Sequence, residues 1–470
     1  MRRKINSQAE LDFHPSNLGV TNAYYEKYQA VSTLLDENPE IINLAHKDLK
    51  DALESATSDD RHGGKFKYTS DTTLRILICQ IIEGLSLRET VIRIDDSHYL
   101  RRFVRIYSGP MMDFTTLCKL KNCISPKTWN KINQALARYA VRESLIGGEQ
   151  LRLDTTAVET NIHWPTDSSL LWDVYRTLAR LIENVRKLDP SAVGNHRLQT
   201  RKAKRLYTKI SRKASKKPGS QDTLKPFYER LIELVTTLCQ WAEQVRQNLE
   251  DNSHKALECV LAGALLRNLA EEIEHYYNLG LRVIDQASRR VLDGEQVPND
   301  EKIFSIFEPH TELLKRGKTA RPIEFGHMVQ IQQVQGKFIS DYEVFEKKPN
   351  EYELLRPALA SHKRLFGQYP DSVAADKGYY ENMDAIETLE KKIEIVSIAK
   401  KGRRTEEEIQ RESDPDFRFA QRFRAGVEGT ISYLKRILGL FRCVNKGWEH
   451  YRSTIGAAIF THNVLILTRT

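Results

Sequence analysis

The hydrophobic period of the chain changes from that of a helix to that of a strand and back, and this change limits the fold most. Residues 149–162 alternate through Leu151, Leu153 and Val158, which reads as a strand running through Asp154. From 169 to about 292 the pattern is almost uninterruptedly helical. Strand character then returns: 325–334 and 337–345 alternate around Gln335-Gly336, as a β-hairpin does. Residues 354–366 predict a helix, 372–376 a short buried strand ending in Asp376 with Gly378 allowing a sharp exit, 381–391 a helix, and 393–399 a last strand. With the helical interlude removed, the order is β-β-β-α-β-α-β-α. The chain is therefore expected to be an α/β protein interrupted by a long all-α insertion, with a helical region before the first strand.

Residues 417–436 predict the helix that follows the last strand, because Val427, Ile431, Leu434 and Leu438 form one apolar stripe. Arg424, Glu428 and Lys435 lie beside that stripe on a single edge. Such a row is either a solvated, salt-bridged face or part of a site, and the strands bear on the choice. In an open α/β sheet, acids at the C-terminal ends of strands converge on one edge. Asp154, followed by Thr-Thr, is either a turn cap or a carboxylate offered to a ligand, and Asp376 occupies a similar strand end. A helix laid across that edge would add Glu428. Three carboxylates without His or Cys select hard cations, Mg2+ or Mn2+. Two such ions about 3.5–4 Å apart would activate a water or a 3′-hydroxyl and stabilise the leaving oxygen of a phosphodiester. Arg424 and Lys435 would then hold phosphates.

The 470 residues suffice for two to four domains with real cores, and a net charge of +9 with a pI near 9.0 tilts the chain towards a polyanion. The charge is densest at 201–217, where nine cations occur without one acid, interleaved with Tyr207. Lys202, Lys204, Arg205, Lys209, Arg212 and Lys213 in that run are candidate contacts to a phosphate backbone, the alternative being a solvated arm. Six scattered cysteines form no CxxC pair, so neither a zinc site nor a disulfide framework is expected and a reducing cytoplasm fits. No apolar run follows the basic N-terminus, so no secretory signal is expected. The longest apolar stretch, 454–467, is too short to span a bilayer and contains His462 and Asn463; it reads as a buried helix.

Ahead of the first strand, helices are expected at 24–35 and 40–53, then a loop at 59–65, then helices at 74–82, 87–94 and 100–106. Asp113 and Ser125 look like N-caps, the latter followed by Pro126. These short helices with arginines between them are either a helix-turn-helix bundle or a bundle that packs on its neighbour. After the first strand, Asp167 or Ser168 is expected to cap a helix. Trp164 and Trp448 suit core or interface positions, or stacking on an unpaired base.

The strand and helix order is that of a ribonuclease H-like fold, a mixed five-stranded sheet with flanking helices. The motifs Leu-Asp154-Thr-Thr, Ala-Asp376-Lys-Gly-Tyr-Tyr and Arg424-x3-Glu428-x6-Lys435 resemble those of bacterial insertion-sequence transposases of the DDE class. The last is similar to that family's Y-x2-R-x3-E-x6-K signature, with Gln421 where the tyrosine stands. Residues 74–106 and the segment from Arg316-Gly-Lys to Glu324-Phe-Gly-His-Met-Val-Gln are also family-like. The resemblance implies that Asp154, Asp376 and Glu428 bind two Mg2+ or Mn2+ ions as a catalytic triad. It implies a protein that binds the terminal inverted repeats of its own element in double-stranded DNA, cuts the ends and joins the 3′-hydroxyls to target DNA. A homodimer in a synaptic complex follows from the need to hold two ends. The domains would be a helical arm (1–66), a helical DNA-binding domain (67–148), the catalytic domain (149–168 with 300–470) and the insertion with its basic arm (169–299). A ribonuclease H-like nuclease without strand transfer and a catalytically retired DNA-binding protein are the rival readings.

Overall fold

Among the described residues, seven helices precede the first strand: α1 (Gly19–Glu37), α2 (Pro39–Ser55), α3 (Ser70–Glu83), α4 (Leu87–Asp96), α5 (His98–Phe103), α6 (Phe114–Cys123) and α7 (Pro126–Arg142). They belong to a computed structural model that describes residues 18–55, 68–107, 109–213, 222–255, 260–315 and 322–469. The expected loop at 59–65, Lys216 and Lys217 of the basic run, and Arg316-Gly-Lys lie outside these residues. Side-chain caps begin most of these helices, since the first N–H groups of a helix have no partner within it. Thr69, Ser97, Asp113 and Ser125 each accept from a backbone N–H of the first turn, and Ser86 with Glu89 forms a reciprocal capping box. Gly84, at φ 64°, ends α3 in the left-handed conformation.

A buried ion network ties this region together. Arg75 is fully buried on α3; its Nε donates to Asp71 at 2.7 Å and its Nη2 to Asp36 of α1 at 2.8 Å, while Arg105 donates to both acids. Removing Asp71, fully buried like Arg75, would leave that guanidinium without its buried partner.

The first strand, β1 (Gln150–Thr160), is followed by α8 (Asp167–Leu188), α9 (Pro190–Val193), α10 (Thr200–Lys213), α11 (Lys225–Lys255) and α12 (Val260–Ala287). Thr166 caps α8, where the sequence pointed to Asp167 or Ser168. Its side chain accepts from Ser169 N, and Ser169 Oγ accepts from Thr166 N in return. Asp167 is instead taken up by an ion pair with Arg290 at 2.8 Å.

The remaining elements are β2 (Glu312–Lys315), β3 (Ile323–Gln333), β4 (Ile339–Val344), α13 (Leu355–Phe366), β5 (Ser372–Ala374), α14 (Met383–Glu390), β6 (Ile395–Ser397), α15 (Glu406–Ser413), α16 (Pro415–Arg436), β7 (Arg442–Cys443) and α17 (Trp448–Leu467). The chain is thus mixed α/β and largely helical. Its sheet has seven strands in the described residues, ordered β2-β3-β1-β5-β6 with β4 on β3 and β7 on β1. Five were expected, and the two additions, β2 and β7, are too short to show an alternating pattern. β1 lies at the centre, antiparallel to β3 and parallel to β5.

Two compact units result, one made of residues up to Asn161 with those from Gly326 onward, the other of Ile162–Phe325. In the first, one apolar core joins the N-terminal helices to α16, α17 and the residues Val158, Val329 and Ile331 of the sheet. Asn133 of α7 donates to Gly456 O of α17 at 3.0 Å within it. The stretch 454–467 is the buried helix its composition suggested: His462 and Asn463 are buried, and Asn463 both accepts from and donates to the Ile339 backbone. A second core under the same sheet packs α13 and β5 through Leu355, Leu359 and Val373. The second unit is built on the long helices α8, α10, α11 and α12 around Leu171, Leu178, Val235 and Ile273. No helix among the described residues is long and apolar enough to cross a membrane.

Candidate active site

Asp154 and Asp376 meet because two parallel strands share a register. Gln150, Leu151 and Arg152 of β1 pair with Ser372, Val373 and Ala374 of β5. Continuing that register by two residues brings Asp154 level with Asp376, just past the last paired couple. The alternation of side chains along a strand puts Arg152 and Asp154 on one face.

That face is covered by α16, which packs on β1, β5 and β6. Asp414 caps the helix ahead of Pro415, and its buried stripe holds Phe417, Ala420, Val427, Thr430 and Leu434. Arg152, 5% exposed, ties strand to helix: its Nε donates to Gln333 Oε1 at 2.7 Å, its Nη1 donates to Phe423 O at 2.6 Å, and its guanidinium lies over the Phe423 ring. Burial lowers its pKa to about 10. Gly426 leaves room for this crossing, since a Cβ there would come within 2.3 Å of Arg152 Nη1.

The acids differ in setting. The Asp154 side chain is 16% exposed, and its Oδ1 accepts from Thr155 N at 2.7 Å. Burial raises its pKa to about 6; the Thr155 N–H and Arg424 act against that rise, and Asp376 and Glu351 add to it. Asp376 is exposed and accepts from Lys377 N at 2.7 Å, capping a short 3-10 turn. The Glu428 side chain is 69% exposed, and Arg424 stands between it and Asp154, with a nitrogen 3.9 Å from each carboxylate.

Gln421 has a definite place in this arrangement. Its Nε2 donates to Ser397 O at 2.6 Å and to Ala375 O at 3.3 Å, and its Oε1 accepts from Arg424 Nε at 3.2 Å. It therefore fastens α16 to the ends of β5 and β6 and aims Arg424. Lys435 lies in the last turn of the same helix and is partly buried.

Two site residues carried no motif in the sequence. Arg152 was discoverable, because the alternation that exposes Asp154 to a site puts a cation two residues earlier on the same face. Glu351 was not: it stands in Glu351-Tyr-Glu-Leu, an acidic lead into a helix, and its approach to Asp154 is purely tertiary. No group of three or more His, Cys, Asp or Glu side chains that could hold a metal ion occurs among the described residues.

The basic candidates lie in the second unit, on α10. Ala203 and Ile210 are its buried stripe, and Lys202, Lys204, Arg205, Lys209, Arg212 and Lys213 are all exposed. Arg201, Lys204, Arg205, Thr208, Lys209, Arg212 and Lys213 line an open groove of about 620 Å³. Lys209 and Lys213 lie over the Phe227 ring at 4.2 and 5.3 Å. Among the described residues, none of these cations is in an ion pair with an acid. Trp164 is 66% exposed with its edge contact to Phe325, so it is not a core residue, whereas Trp448 stacks on Tyr451 in the first unit.

Residues 24–123, from within α1 to the end of α6, match a family model described as Transposase domain (DUF772). The match supports a transposase family and does not extend to the carboxylates. No curated protein and no solved structure matches the chain.

Proposed function

We propose that the chain is a DDE transposase that binds the terminal inverted repeats of an insertion sequence, cleaves the DNA ends and transfers the 3′-hydroxyls to target DNA. The observation that carries this reading is the parallel register of β1 and β5, which continued by two residues brings Asp154 level with Asp376, together with Arg424 between Asp154 and Glu428. The strand order β4-β3-β1-β5-β6, antiparallel in its first half and parallel in its second, supports a ribonuclease H-like catalytic domain. The transposase-domain match at 24–123 supports the same function from a separate part of the chain.

The donor chemistry, carboxylate oxygen without His or Cys, is that of a hard divalent cation. A carboxylate raised to about 6 by burial and by two neighbouring acids, with a single guanidinium at 3.9 Å, sits where added positive charge is favoured. Asp154, Asp376 and Glu428 would hold Mg2+ or Mn2+, which when bound supplies polarisation of the scissile phosphodiester and of the attacking oxygen. Arg424, aimed by Gln421, would hold a phosphate oxygen of the DNA beside them, and Lys435 a phosphate farther along. The sheet and Arg152 keep the aspartates and α16 in fixed relation, so that reaction needs little rearrangement. Two copies of the chain would hold the two ends in one synaptic complex.

The experiment is cleavage of DNA carrying the repeats that flank the gene. Asp376→Ala and Glu428→Ala are expected to retain binding to that DNA and to lose nicking in Mg2+. Undiminished nicking by either variant would remove it from the catalytic set. Joining of the cut 3′-ends to a second DNA distinguishes a transposase from a nuclease.

A further inference from the structure

Neighbouring glutamines of β3 point to opposite faces of the sheet. Gln333 is engaged on the α16 side, where its Oε1 accepts from Arg152 at 2.7 Å and its Nε2 donates to Thr430 Oγ1 at 2.9 Å. Gln332, on the other face, is 4% exposed, yet its Oε1 has no hydrogen-bond partner. A buried acceptor without a donor is unfavourable and rare. The residue lines a pocket of about 730 Å³ formed by α7, β4, α13 and the start of α17, all within the first unit. Asp341 of β4 is the register partner of Gln332, and Glu343, two residues on, shares its face of the hairpin. Asp341 accepts from Tyr342 N at 2.9 Å and from Ser361 Oγ of α13. Burial raises the pKa of both carboxyls, and Asp341 adds to the rise at Glu343.

The helical walls of the pocket carry the opposite sign. Lys127 and Lys131 lie one turn apart on α7 and Arg364 lies on α13, all three exposed. Among the described residues none of these three cations and two acids is in an ion pair, whereas Glu449 and Arg452 in the same pocket pair with each other at 3.3 Å. A polyanion would be drawn to the cations and repelled by the acids, and a polyamine the reverse. A ligand with one charge of each sign satisfies both walls and gives Gln332 its missing donor. We infer that this pocket binds a small dipolar ligand, its cationic nitrogen group donating to Gln332 Oε1, Asp341 and Glu343 and its anionic group held by Lys127, Lys131 and Arg364. Arginine is the simplest molecule of this class: its guanidinium offers five donors in one plane, and its carboxylate stands at the other end. The volume is that of a small-molecule site. Because Gln332 faces away from α16, the site is separate from Asp154 and exists whether or not the chain cuts DNA.

The test is isothermal titration calorimetry of the full-length protein with L-arginine, with agmatine, which lacks the carboxylate, and with L-citrulline, which lacks the cationic charge of the guanidinium. Arginine is expected to saturate with a Kd below about 1 mM and to raise the melting temperature as its concentration rises. Agmatine and citrulline should bind about 10-fold more weakly or not at all. Glu343→Gln and Lys131→Ala change exposed side chains and are expected to weaken arginine binding by a similar factor. Gln332→Leu keeps the volume and removes the unpartnered oxygen; it should melt no lower than the wild type and lose arginine binding. No saturation by about 10 mM arginine, equal binding of the three molecules, or undiminished binding by Glu343→Gln and Lys131→Ala would overturn the assignment. So would a Gln332→Leu variant that melts lower and binds arginine as before, since its amide would then serve packing alone. If a DNA duplex displaces arginine and Lys131→Ala weakens DNA binding, the pocket is part of a DNA surface and the dipolar site falls.

Discussion

A carboxylate held out of water beside two others lowers the stability of the fold that holds it, and Asp154 makes this measurable. Its folded pKa of about 6 lies above the ordinary 3.8, a difference of ~3 kcal/mol at about 1.4 kcal/mol per pH unit. The sign follows from the protonated form being the one the fold favours. Stability from this group is complete below about pH 4, is lost as pH rises through about 6, and is absent at pH 7. Asp154→Asn keeps the acceptor for Thr155 N and removes the charge. It is expected to stabilise the metal-free protein at pH 7.5, by up to ~3 kcal/mol, with the gain shrinking as the pH falls below 6. Urea unfolding in EDTA at pH 7.5, 6 and 5 reads this directly. A destabilised Asn variant would mean that the charge is not a burden there and would weaken the case for a cation site. Gln421 makes a related point about motifs: it departs from the tyrosine of the signature, yet its three hydrogen bonds show what that position does in this chain.

At the scale of elements, α16 contains two interior glycines with opposite expectations. Glycine in a helix interior costs roughly 0.5–1 kcal/mol relative to alanine. Gly429 is exposed and has open space about it, so Gly429→Ala should raise stability by about that amount. Gly426 faces the buried guanidinium of Arg152, and a methyl there must displace a group fixed by Gln333 and Phe423 O. Gly426→Ala is therefore expected to lower stability by roughly 1–3 kcal/mol in spite of its better propensity. Thermal melts of the two single variants separate packing from propensity; equal effects would refute the role given to Arg152. Most elements of the sheet were legible because they are long enough to show a period: β1 through Leu151 and Leu153, and the hairpin of β3 and β4 around Gln335-Gly336. β2 and β7 were not, since four and two residues carry no period. The cap of α8 lies one or two residues before the expected Asp167 or Ser168, because Thr166, Asp167 and Ser168 are all capping types and local sequence does not distinguish them. The acids at strand ends were legible as candidates from local sequence. Their convergence depends on a β1–β5 register spanning the whole insertion, and Glu351 joins them from an element whose sequence reads only as a helix entry.

For the whole molecule, the densest positive charge among the described residues lies where no acid neutralises it. Seven cations on α10 share one short helix with a buried stripe of Ala203 and Ile210, and among the described residues none is neutralised by an acid. Seven like charges on fourteen residues repel one another, and a polyanion relieves that repulsion while releasing its own counterions. Lys209 and Lys213 also pack on Phe227, so replacing them would disturb the second unit as well as its charge. Lys202, Lys204, Arg205 and Arg212 are exposed, and a variant with alanine at all four keeps the apolar stripe and improves helix propensity. If α10 grips the DNA backbone, this variant should unfold like the wild type yet bind DNA more weakly, and the slope of log affinity against log salt should flatten by about 0.9 for each of the four that touches a phosphate. Filter binding or fluorescence anisotropy from about 50 to 200 mM salt covers the range where that change is largest. An unchanged slope would make α10 a solvated face, and the net charge of +9 would then have to act elsewhere on the chain.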